Sequence, residues 1–62
     1  MWTVIYIAQT AKIAERIKQK LTEEGFLIKI RAINLTKTQF EVLAPSGEVM
    51  EIQEFLATIL NR

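Results

Sequence analysis

Residues 2–8 read WTVIYIA, a run with no charge, no proline and no glycine. β-Branched and aromatic types dominate it, and as a helix it would have no polar face, so it is read as a strand. Strand side chains alternate between two faces. One face carries Trp2, Val4, Tyr6 and Ala8, the other Thr3, Ile5 and Ile7. Both are largely apolar, and both need cover. A chain of 62 residues builds one domain, spanning 1–62, because surface-to-volume scaling leaves no room for a second core. Such a core rarely supplies more than about 3–5 kcal/mol of net stability. Small domains make up the shortfall with disulfides, a metal or a partner subunit. This chain has no cysteine and no histidine, which removes disulfides, thiolate sites and the commonest metal ligand. Self-association, as a homodimer in the first instance, is the staple that remains.

The rest of the chain alternates clearly between element types. Thr10 can cap a helix through its hydroxyl. Residues 11–24 place Ile13, Ala14, Ile17 and Leu21 on one stripe among charged neighbours, the pattern of an amphipathic helix. Gly25 supplies the left-handed residue that ends such helices, and Phe26 is placed to fold back on the last turn. Residues 26–33 (FLIKIRAI) read as a second strand, with Phe26, Ile28, Ile30 and Ala32 on an apolar face. A turn follows over residues 34–38, then a third strand over 39–44 (QFEVLA), and the short connection predicts an antiparallel hairpin. Pro45, Ser46 and Gly47 break that strand. Ser46 or Gly47 can start a last helix over 48–60, whose stripe is Val49, Ile52, Leu56 and Ile59, widened by Phe55 and Leu60.

The expected fold class is α+β. It is a two-layer β-α-β-β-α sandwich, the ferredoxin-like plan lacking its last strand, with a three-stranded antiparallel sheet of order 1-3-2 and two helices on one face. Strand 1 then lies at an edge. Ile5 and Ile7, as pure aliphatics, are expected under the helices, while Trp2 and Tyr6 carry polar atoms that suit a wetter face. The open sheet face would show Trp2, Val4, Tyr6, Leu27, Lys29, Arg31, Ile33 and Leu43, with Glu41 among them. The opposite choice exchanges Trp2, Val4 and Tyr6 for Ile5 and Ile7. Either way a contiguous apolar surface is left over, and such surfaces mark interaction sites.

Charge is segregated. Residues 10–37 hold Lys12, Arg16, Lys18, Lys20, Lys29, Arg31 and Lys37 against Glu15, Glu23 and Glu24. Residues 38–61 hold only acids: Glu41, Glu48, Glu51 and Glu54. The first helix runs against its dipole, with Lys12 and Arg16 early and Glu23 and Glu24 late, each mismatch costing a few tenths of a kcal/mol at an exposed site. The basic stretch reads as a solvated face, or as a patch for an anion or an acidic partner. Trp2 and Tyr6 beside Lys29 and Arg31 raise the alternative of a nucleic-acid-binding sheet, but the usual glycine and aromatic run is missing and Glu41 would repel phosphate. Catalysis has little to stand on. Ser46 is the only serine, with no histidine to activate it, and no glycine-rich phosphate loop is present. No catalytic residue, cofactor or metal is expected. No run approaches the ~20 apolar residues of a membrane span, and the start lacks a signal-peptide pattern, so a cytoplasmic location is expected.

Several of these residues also carry a family resemblance. The Tyr6-Ile-Ala strand end, the helix closing on Leu21, Glu24 and Gly25, the hairpin ending in Val42, Ala44 and Pro45, and the spaced Glu48, Glu51 and Glu54 resemble the small prokaryotic signal-transducing proteins with a nitrogen-regulator-PII-like, ferredoxin-like fold. The resemblance covers nearly the whole chain. It implies a regulatory or adaptor role for a small bacterial domain and brings no catalytic or ligand residues with it. The long hairpin loop through which PII proteins bind effectors is only about five residues here. Some short bacterial chains similar to this one carry a glutamate decarboxylase label. That chemistry needs a large pyridoxal phosphate pocket, a phosphate cradle and a Schiff-base lysine with partners, and the chain offers lysines without the pocket. The sum of these readings is a small non-catalytic, self-associating domain, with an anion- or nucleic-acid-binding module as the alternative.

Overall fold

The structure is a computed structural model and describes residues 1–33, 35 and 38–60. The turn expected over 34–38 and the charge of Lys37 fall largely or wholly outside the described residues. Five regular elements follow one another: β1 (Trp2–Ala8), α1 (Ala11–Glu23), β2 (Lys29–Ala32), β3 (Phe40–Pro45) and α2 (Val49–Leu60), with a 3-10 turn at Ser46–Glu48 leading into α2. The sheet order is β1-β3-β2, and β3 is antiparallel to both neighbours. This is the expected β-α-β-β-α layout.

Local chemistry explains where α1 begins and ends. Thr10 is extended and its hydroxyl accepts from the Ile13 amide at 3.1 Å, which satisfies one of the orphan N–H groups of the first turn. At the other end Gly25 has φ +95°. Its amide reaches the Thr22 carbonyl at 3.0 Å and the Phe26 amide reaches that of Leu21 at 3.1 Å. That pair of bonds is a Schellman closure, and it turns Phe26 back under the helix. The second helix starts differently. The Ser46 hydroxyl is not spent on a cap: its amide and its Oγ both donate to the Met1 carbonyl, at 2.9 and 3.0 Å, and the Oγ also meets the Thr3 hydroxyl. The only serine of the chain thus ties the end of β3 to the start of β1.

The two helices lie on the same face of the sheet. Ala14, Ile17 and Leu21 of α1 and Ile52 and Leu56 of α2 join Ala8, Phe26, Ile28, Val42 and Ala44 in one buried cluster. Phe26 and Phe55 meet edge to face, with ring centroids 5.5 Å apart, a geometry the ring quadrupoles favour. No buried polar or charged side chain occurs among the described residues.

In β1 the side-chain alternation departs from a regular strand. Val4 lies across from Leu43, but Tyr6 lies across from Val42, so two residues advance on β1 for one on β3. Ile5 is the extra residue of a β-bulge. Before it, Trp2 and Val4 lie on the open face, as expected. After it, the parity reverses. Tyr6 packs against the core cluster, while Ile7 lies across from Glu41 and is 40% exposed. Ile5 itself packs on the core side. The expectation that Ile5 and Ile7 share the inner face and that Tyr6 shares the outer one is therefore corrected at Tyr6 and Ile7. β2 is also shorter than the expected 26–33. Phe26 and Ile28 are buried as anticipated, but only Lys29–Ala32 pairs with β3.

Candidate association surface

The sheet face opposite the helices is built in rows, because residues directly across an antiparallel pair share a face. Trp2 lies beside Pro45. The next row is Val4, Leu43 and Lys29. Then come Ile7, Glu41 and Arg31, and last Gln9, Gln39 and Ile33. Leu27, exposed, precedes β2 at the Trp2 end.

The Lys29 ammonium sits 5.6 Å from the centroid of the Trp2 ring. These residues belong to the two outer strands, about 10 Å apart at ~4.8 Å per strand spacing. The pair therefore bridges across β3, over Leu43. That explains why Leu43 is only 4% exposed although it belongs to the outer face and not to the core cluster. Around it the face stays apolar: Trp2 is 43% exposed and Val4 40%.

One row further on, the Arg31 Nε donates to Glu41 Oε1 at 2.8 Å and its Nη2 donates to the same oxygen. The arginine side chain is 59% exposed and the glutamate 21%, so the pair contributes at most about 1 kcal/mol. It neutralises the middle of the face. The Gln39 side-chain amide donates to Gln9 Oε1 at 3.2 Å and closes the far end.

Of the residues expected on this surface, Trp2, Val4, Leu27, Lys29, Arg31, Ile33 and Leu43 belong to it or border it, and Tyr6 does not. Ile7 takes the place foreseen for Tyr6. Among the described residues no group of three or more acidic, cysteine or histidine side chains is arranged to hold a metal ion. Nor is any helix among them long and apolar enough to cross a membrane. Comparison with family models, with curated proteins and with solved structures returns no match to this chain.

Proposed function

We propose that this chain is a non-catalytic module that self-associates, the open sheet face of one copy packing against the same face of a second, in a regulatory or adaptor role. The observation that carries this reading is the row of Trp2, Val4 and Ile7 along that face, each about two-fifths exposed, in a chain with no disulfide to make up for a small core. A two-fold interface joins a patch to itself and so must be self-complementary. This face suits that condition: Arg31 is paired with Glu41, and the further cation on it, Lys29, is laid over the Trp2 ring. The molecule is 31 × 29 Å in plan and 15 Å thick, so one broad face is of the order of the ~800 Å2 per partner found in stable interfaces. The edge of β1 is a poorer docking site, because a bulge bends and twists an edge strand away from flat pairing.

The same arrangement disfavours single-stranded nucleic acid on this sheet. Lys29 already covers the Trp2 ring, and Arg31 is already paired with Glu41. The resemblance to small signal-transducing proteins supports a regulatory role over a catalytic one. Sedimentation equilibrium at micromolar concentration tests the reading. The expected mass is twice that of the 7.2 kDa chain, and a strict monomer with no affinity for an apolar dye overturns it.

A further inference from the structure

The opposite side of the molecule holds a feature that association through the sheet leaves unused. The end of α1 flanks Phe55 while Ile13, near its start, meets Leu60, so the helices run antiparallel. Two depressions of about 290 and 200 Å3 lie in the seam between them and share Arg16 and Ile59. Three apolar side chains in this seam remain well exposed: Ile13 at 39%, Phe55 at 36% and Leu60 at 43%. They form a row beside a basic rim. Arg16 and Lys20 line the seam, and Lys12 continues the same stripe one turn earlier at i, i+4 spacing. Like charges so spaced repel one another, and cations early in a helix oppose its dipole. Among the described residues neither Arg16 nor Lys20 has a carboxylate within ion-pair distance, even though Glu24 lines the same seam.

We propose that the α1–α2 seam docks an acidic amphipathic helix from a partner protein. Its apolar side chains, one turn apart, would enter the two depressions, and its carboxylates, also one turn apart, would face Arg16 and Lys20. This is the helix-in-groove mode of recognition, in which a stripe at i and i+4 supplies the anchors. The seam is long and shallow rather than enclosed, which suits a row of side chains better than a small molecule. Charge complementarity selects the partner: a rim whose cations have no ion-pair partner among the described residues favours an acidic helix and rejects a basic one. Because the seam lies on the helix layer, docking there is independent of contacts through the sheet and does not rest on the dimer.

The test uses the full chain and two fluorescein-labelled model helices, each with leucines at i, i+4 spacing, one flanked by glutamates and the other by lysines. The glutamate helix is expected to bind, with weakening at higher salt, and the lysine helix is expected not to. The R16E/K20E variant, changed at exposed positions, should keep its circular dichroism and melting temperature and lose about tenfold or more in affinity for the glutamate helix. Ile13→Gln should weaken the same complex without altering the charge. Failure of the glutamate helix to bind, equal binding of both helices, or unchanged binding by R16E/K20E overturns the proposal. So does amide shift mapping that places the helix on the sheet face. If R16E/K20E instead changes the sedimentation mass of the chain alone, the seam is occupied by a second copy and the proposal also falls.

Discussion

The reversal of side-chain parity at Ile5 makes neighbouring residues respond oppositely to the same kind of substitution. Ile7 is 40% exposed on the open face, and fully burying an isoleucine is worth about 1.5–3 kcal/mol. Covering its remaining surface therefore contributes about 0.6–1.2 kcal/mol per protomer, and a two-fold interface counts that twice. Ile7→Ala should weaken the dimer by about 7- to 50-fold. Ile7→Asp should do more, because it sets a carboxylate directly across from Glu41, and at micromolar concentration the variant should be a folded monomer. Tyr6 packs on the core beside Val42. A glutamate there gives up the packing of the ring and sets a charge at a half-buried site, on the depression that Arg16 also lines, at a cost of about 2–4 kcal/mol, comparable to the ~3–5 kcal/mol a core of this size supplies. Tyr6→Glu should therefore unfold the chain. Sedimentation velocity reads the mass, and urea denaturation followed by circular dichroism reads the stability. A folded, monomeric Tyr6→Glu together with an unfolded Ile7→Asp would refute the reasoning, since that is what an unbroken alternation along β1 produces.

Two further outcomes concern the ends of α1. Gly25→Ala forces a side chain onto a backbone at φ +95° with nothing within 4 Å of the new methyl group, so the whole effect is conformational, about 1–2 kcal/mol. At about 4–8 °C per kcal/mol for a domain of this size, the melting temperature should fall by several degrees, and an unchanged value would mean the Schellman closure is dispensable. Thr10→Ala removes the hydroxyl that accepts from the Ile13 amide and should cost about 1 kcal/mol in denaturant titration, whereas Thr10→Ser should stay near the parent.

Much of this architecture is already legible in short-range signals. The Thr10 cap, the Gly25 stop, the Phe26 return and the 3.6-residue stripe of Ala14, Ile17 and Leu21 act within one or two helical turns, and each does in the structure what its chemistry dictates. The short connection predicts that β2 and β3 are neighbours, while the order β1-β3-β2 is the one that the ferredoxin-like plan supplies and the sheet adopts. The composition of the open face is legible too, because Lys29, Arg31 and Glu41 alternate with residues that must go under the helices.

What only the tertiary structure decided is which side of β1 each residue after Val4 presents. WTVIYIA is apolar at nearly every position, so no polar residue marks the point where the alternation slips. The bulge at Ile5 arises in pairing β1 against β3, a contact between segments more than thirty residues apart in sequence. Tertiary structure likewise decided that Lys29 reaches across β3 to Trp2 and that Ser46 holds the Met1 carbonyl. Local chemistry therefore sets the elements and their ends, while packing sets the register. In a run with two apolar faces, register is what determines which side chains remain exposed for a second copy.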